Sequence, residues 1–292
     1  SACCPFHTEK TPSFTVSPTK QFYHCFGCGA HGNAISFLIE YGGLGYIDAL
    51  RELAESVGMK LPELDPSARG ATRADAPDLF ELMLRAQEFY KEELKRTPRA
   101  IEYLKGRGLT GKVAARFGVG YAPDDWQGLK RAFPEYDAKV LVDCGLVIVN
   151  DEGRRYDRFR DRIMFPIQNQ RGQVIGFGGR VIAAGDGPKY MNSPETTLFE
   201  KGRELYGLPQ ARQAIRTRAR VFVVEGYMDV VALAQFGVEN AVATLGTATT
   251  STHVVKLLRQ TNEIVFCFDG DAAGRKAAWH ALEVSLAVIP DG

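Results

Sequence analysis

Two apolar runs near the C-terminus end on carboxylates: VFVVEG closes on Glu225, and IVFCFDGD closes on Asp269 and Asp271. In each, glycine and then a helical pattern follow. As neighbouring parallel strands, these runs would bring the acids to the carboxyl edge of one sheet, where open α/β folds hold their active sites. Acids gathered there repel one another unless a divalent cation neutralises them. Hard carboxylate oxygens suit Mg2+ or Mn2+, ions that arrive with phosphate substrates. Asp229, a turn into EGYMD, extends the set. The alternative is that the four acids only cap the helices behind them, positions that Asp and Glu favour.

A second group lies at the start. Cys4 and His7 form a C-x2-H pair, 17 residues intervene, and Cys25 and Cys28 form a C-x2-C pair. Two such knuckles closing on one ion give three thiolates and an imidazole, a tetrahedral Zn2+ set with no open position for catalysis. Such an ion is expected to hold together a segment too small for much core of its own. Cys3, His24 and His31 adjoin the pairs and leave substitution of a ligand open. Phe14, Phe22, Tyr23 and Phe26 lie among them, either to stack on nucleotide bases or to pack around the ribbon.

A chain of 292 residues, 45% apolar and 24% charged, has room for two or three globular domains. No apolar run approaches the ~20 residues that span a bilayer, so a membrane partner is not expected. Six cysteines, four of them in the first 28 residues, fit a reducing cytoplasm with a metal site better than a disulfide scaffold.

The expected fold is multidomain α+β. Residues 1–60 read as a zinc ribbon with two helices, NAISFLIEY capped by Asn33 and IDALRELAESVG stopping at Gly58. Residues 61–78, rich in Pro, Ala and charge, read as a linker. Residues 79–218 read as a mixed α+β subdomain, with helices at LFELMLRAQEFYKEEL, RAIEYLKGRG and KVAARF. Two strands there, RIMFPIQ and QVIGFGGRVIA, are joined by a turn. The glycines of FGGR and the loop PKYMNSPE suggest backbone near a bound phosphate, or an ordinary loop. Residues 219–292 alternate strand and helix at the spacing of a parallel, helix-flanked sheet.

The net charge of +1 hides an uneven distribution, with 14 Lys and Arg against 6 Asp and Glu between Arg154 and Arg220. Such a stretch attracts a polyanion, unless segments such as RYDRFRDR neutralise it in local ion pairs.

Taken in order, CPFHTEKTPSF, HCFGCGAHGN, RFRDRIMFPI, GFGGR, KYMNSPET, FEKG, LYGL, VEGYMDVVAL and FDGDAAGRKAA closely resemble the bacterial replicative DNA primases of the DnaG type. The resemblance implies a zinc-binding domain joined to an RNA polymerase domain whose core, over 219–292, is a Toprim fold cut short at its C-terminus. It implies synthesis of short RNA primers on single-stranded DNA template from ribonucleoside triphosphates. Glu225 matches the catalytic glutamate of that family, Asp269 and Asp271 its metal-binding pair, and Asp229 a further acid. Arg180, Lys189, Asn192 and Lys201 fall where the family presents basic and polar residues to template or nucleotide, with Arg107 a lesser member. Members of the family continue past the point matching Gly292 with a further acidic motif and a helicase-binding region. The chain therefore reads as a fragment, with the replicative helicase a partner of the full-length protein. Two other readings stand beside it: a DNA-cleaving Toprim enzyme with Tyr227 as nucleophile, and a zinc and single-stranded DNA-binding module without turnover.

Overall fold

The computed structural model describes residues 1–7, 9–41, 46–57, 59, 78–182 and 188–289. Within the chain, the contacts define two compact units, one inside Ser1–Ala76 and one spanning Pro77–Ile289. The expected linker over 61–78 and the helix stop at Gly58 lie outside the described residues, apart from Asp78.

The first unit opens with three antiparallel strands, β1 (Phe14–Ser17), β2 (Phe22–Cys25) and β3 (His31–Gly32), in that order. Helix α1 (Ala34–Glu40) starts where expected, because the Asn33 side chain accepts the Ser36 amide at 2.9 Å. Helix α2 (Tyr46–Ser56) follows. The small core gathers Cys4, Phe14, Tyr23 and Cys25, with Phe6 and Phe37 against them.

In the second unit, Asp78 caps α3 (Leu79–Arg96) by accepting the Phe80 amide, and α4 (Pro98–Gly106) opens on proline, whose missing N–H costs nothing there. Helix α5 (Gly111–Arg116) and strand β4 (Gly120–Ala122) come next. Then follow α6 (Lys139–Asp143), the hairpin β5 (Val147–Val149) and β6 (Arg155–Asp157), and strands β7 (Arg162–Gln168), β8 (Val174–Val181) and β9 (Tyr190–Asn192). These make an antiparallel sheet of order β4-β7-β8-β9. Side chains alternate across β7: Ile163, Phe165 and Ile167 join one core cluster, while Met164 joins another with Met83, Tyr90 and Phe177. Both faces are covered, so RIMFPIQ reads as an unbroken apolar run.

The C-terminal elements are α7 (Leu208–Arg218), β10 (Val221–Val224), α8 (Tyr227–Gln235), β11 (Ala241–Ala243), α9 (Ser251–Leu258), β12 (Ile264–Phe266) and α10 (Ala272–Leu286). The strands form the parallel sheet expected, in the order β11-β10-β12. The first strand therefore sits in the middle, and the chain reverses direction across the sheet between β10 and β12. That reversal is a topological switch point, which leaves a crevice at the carboxyl ends of these two strands.

One reading of the sequence needs correction. PKYMNSPE is not all loop, since Tyr190–Asn192 pairs with β8. FGGR lies inside β8, and its glycines make room for rings: a Cβ on Gly178 would stand 2.5 Å from Tyr227, and one on Gly176 3.2 Å from Phe199. Among the described residues no helix is long and apolar enough to cross a membrane.

Candidate active site and metal centre

In the first unit, one ligand atom from each of Cys4, His7, Cys25 and Cys28 lies within 4.8 Å of the others. Cys4 Sγ stands 3.8 Å from Cys28 Sγ, and Cys25 Sγ stands 3.7 Å from His7 Nδ1. With Zn–S near 2.3 Å and Zn–N near 2.0 Å, the edges of a tetrahedron are about 3.5 to 3.8 Å, so this donor set fits zinc. Gly29, at φ 74°, turns the chain back after the second knuckle, a conformation that costs a side-chain-bearing residue energy. Burial pushes the Cys4 thiol up to about 12. Burial acts the same way at Cys25 but is outweighed by hydrogen bonds from the Ser13 hydroxyl and the Cys28 amide, which bring it to about 6. Cys3 and His31 are exposed and stand outside the group, as does His24. The aromatics divide: Phe14 and Tyr23 are stacked at 5.2 Å in the core, whereas Phe22 and Phe26 are exposed.

In the second unit, the crevice at the switch point holds the acids. Glu225 follows β10 and Asp269 follows β12, and a Glu225 carboxylate oxygen accepts the Asp269 amide at 2.8 Å. Both side chains are exposed. The helix-capping alternative also holds for two members of the set. Asp271 accepts the Gly274 amide at 2.8 Å as N-cap of α10, and Asp229 accepts the Gly226 amide at 3.1 Å at the start of α8. Desolvation of its carboxyl, with Asp269 close by, raises Asp229 from its ordinary value although the residue is exposed overall, while the Gly226 amide, Arg180 and Lys189 pull it back. Among the described residues, the four acids are not drawn close enough to share one ion as they stand. Their hard oxygens and exposure do suit a divalent cation.

The basic residues fall into three situations. Arg107, Arg180 and Lys189 belong to one ladder of cations and rings. The Arg107 guanidinium lies 5.6 Å from the Tyr103 ring, Arg180 lies 5.8 Å from Tyr103 and 5.1 Å from Tyr190, and the Lys189 amine lies 5.9 Å from Tyr190. Arg107 and Lys189 are exposed, but Arg180 is only 5% exposed and also donates to the Tyr190 hydroxyl. Asn192 is a clamp: its amide donates to the Leu245 carbonyl at 2.7 Å, and its oxygen accepts the Tyr227 hydroxyl. Lys201 is half-buried; its carbonyl accepts from His253 Nε2 at 3.1 Å, which pins this segment to α9.

Tyr227 itself is buried, stacked on Phe165 at 5.6 Å, and burial pushes its phenol far above the usual range. A phenol so placed is no nucleophile for DNA cleavage.

An open cleft of about 580 Å3 adds residues that the sequence reading passed over. Besides Glu225 it is lined by Thr244, the residues from Gly246 to Thr249, Phe268, Lys276 and His280. The signal was present, since TLGTATT follows β11 directly and so must emerge at the same edge of the sheet as Glu225.

Three families match the chain in succession: CHC2 zinc finger over residues 1–69, DNA primase catalytic core, N-terminal domain, over 89–212, and Toprim domain over 219–289. The zinc finger supports a structural zinc, and the Toprim domain a divalent metal. A DNA primase of Neisseria meningitidis is 57% identical over an alignment 295 positions long that covers 99% of this chain and 50% of that protein. The chain thus spans about half the length of such relatives. Among solved structures, the zinc-binding and RNA polymerase domains of the Aquifex aeolicus primase are 38% identical with a TM-score of 0.69, covering 98% of this chain and 70% of that one. A DnaG primase catalytic domain bound to single-stranded DNA is 51% identical with a TM-score of 0.67, covering 73% of this chain and 68% of that one. With its zinc ribbon, its acid-tipped parallel sheet and these likenesses, the chain belongs to the bacterial DNA primases of the DnaG type.

Proposed function

We propose that this chain is the template-binding and nucleotidyl-transfer portion of a primase, which joins ribonucleoside triphosphates into short RNA primers on single-stranded DNA. The observation that carries the reading is the meeting of Glu225 and Asp269 at the switch point between β10 and β12. Glu225 accepts or relays the proton of the attacking hydroxyl. Asp269, Asp271 and Asp229 are the proposed partners of Glu225 in holding Mg2+ or Mn2+, with Asp229 and Asp271 turning from their helix caps to do so. Such a metal, when bound, polarises the reacting phosphate and stabilises the leaving pyrophosphate. Lys189 and Arg107 meet phosphates of template or nucleotide from the exposed rungs of the ladder, and Lys201 does so from the segment before α7. Arg180 supports the ladder from within.

Cys4, His7, Cys25 and Cys28 are the proposed ligands of the structural zinc. The division at 218/219 into an α+β subdomain and a Toprim domain is likewise proposed, supported by the bounds of the matching families. For the whole protein, a replicative helicase is the proposed partner and the cytoplasm the proposed location.

The test is synthesis of labelled RNA de novo on a single-stranded template with Mg2+ or Mn2+, comparing this chain with the full-length protein. Primers from the full-length protein alone would assign this chain to binding, a reading that the capping roles of Asp229 and Asp271 favour. No primers from either would overturn the proposal.

A further inference from the structure

The zinc knuckles carry an acidic neighbour that no ligand pattern includes. Glu9 stands two residues past His7, and its carboxylate collects three hydrogen bonds and faces the His7 ring. Oε1 accepts the Cys4 amide at 2.6 Å and the Ser13 amide at 2.9 Å. Oε2 accepts the Ser13 hydroxyl and lies 3.3 Å from His7 Nε2. Gly27 closes the arrangement, since a Cβ there would stand 2.7 Å from His7 Nε2 and 2.8 Å from Ser13 Oγ.

The orientation of His7 gives this cluster its meaning. Nδ1 faces Cys25 Sγ at 3.7 Å, on the side where the four ligand atoms converge, and Nε2 faces Glu9. A neutral imidazole has one N–H and one lone pair, and a carboxylate can only accept. Glu9 therefore favours the tautomer with hydrogen on Nε2, which turns the Nδ1 lone pair toward the metal. The same carboxylate holds the Cys4 amide, so one side chain orients both ligands of the first knuckle.

We propose that Glu9 is a positioning residue of the zinc centre, selecting Nδ1 of His7 as ligand and fixing the Cys4 backbone. The proposal rests on the zinc reading of the cluster and adds the choice of nitrogen. Carboxylates behind histidine ligands raise metal affinity in this way, and their loss costs about 10- to 100-fold.

The experiment uses the full chain loaded with Zn2+. 15N spectra of the histidine rings should show His7 with hydrogen on Nε2 and metal on Nδ1. In Glu9→Gln the amide oxygen can still accept from Cys4 and Ser13, but its NH2 then faces Nε2, donor against donor. Competition with a chromophoric chelator should show zinc affinity reduced about 10- to 100-fold, and Co2+ loaded in place of zinc should give an altered visible spectrum. Metal on Nε2 in the wild-type chain overturns the role of Glu9 and leaves the zinc reading standing. Unchanged affinity and an unchanged Co2+ spectrum in Glu9→Gln do the same. Failure of the wild-type chain to bind one equivalent of zinc overturns both.

Discussion

The Glu225 carboxylate accepts the backbone amide of Asp269 at 2.8 Å, joining the ends of β10 and β12 across the crevice between them. This bond orients a side chain that is otherwise exposed, so the acid points along the sheet edge before any ligand arrives. Glu225→Gln keeps an acceptor for the amide and removes the basic oxygen. Primer synthesis by the full-length protein should fall about 10²- to 10⁴-fold, with single-stranded DNA binding, followed by fluorescence anisotropy, unchanged. Retained synthesis would remove Glu225 from the chemistry.

The ladder of cations and rings separates binding from folding. Lys189 is exposed at its end, so Lys189→Ala should weaken single-stranded DNA binding and reduce the slope of log affinity against log salt by about 0.7, the value for one phosphate contact. Thermal stability should hold. Arg180→Ala should instead lower the melting temperature, because it empties a site packed between Tyr103 and Tyr190. Equal stability of the two variants would contradict this division.

Gly178 is required by space. An added methyl would stand 2.5 Å from the Tyr227 ring, which is held between Phe165 and Tyr206 and cannot yield cheaply. Gly178→Ala should destabilise the second unit by about 1–3 kcal/mol, measured by denaturant titration. Gly172, with open space around it, offers a contrast by position. Its φ of 78° makes Gly172→Ala strained at the backbone without displacing a ring.

His253 ties stability to pH. Nδ1 accepts the Thr250 amide at 3.2 Å and Nε2 donates to the Lys201 carbonyl, so the fold uses the neutral ring; burial, the largest influence, lowers its pKa below the usual 6.5. A group with a depressed folded pKa stabilises fully above its unfolded pKa and loses that contribution as pH falls. Stability should therefore decline as the pH drops below about 6.5, and His253→Gln should flatten that part of the profile. An unchanged slope in the variant would exclude His253 as its source.

The placement of the acids was readable because strand direction is a strong constraint. Runs ending in VEG and FDGD, separated by helical patterns, leave few alternatives to a parallel sheet with acids at one edge, and cysteine spacing is equally restrictive. The roles of Arg180 and Asn192 were hidden, because a sequence shows charge and polarity but not who satisfies them. Arg180 proved buried between rings, and Asn192 bonded to Tyr227 and Leu245. The glycines of FGGR suggested an anion for the same reason, since closeness to a ring and closeness to a phosphate call for the same missing side chain. Strands of three residues, such as β4, β5 and β9, are too short for alternation to reveal them.

The clamp at Asn192 has a mechanical consequence. It belongs to the edge strand of the antiparallel sheet, yet both ends of its amide grip the elements after the parallel strands, one at Leu245 in the segment after β11 and the other on the first residue of α8. Lys189, three positions upstream, and Glu225, two positions before Tyr227, thus share a single bolt. Sliding either sheet past the other would first have to shear that joint.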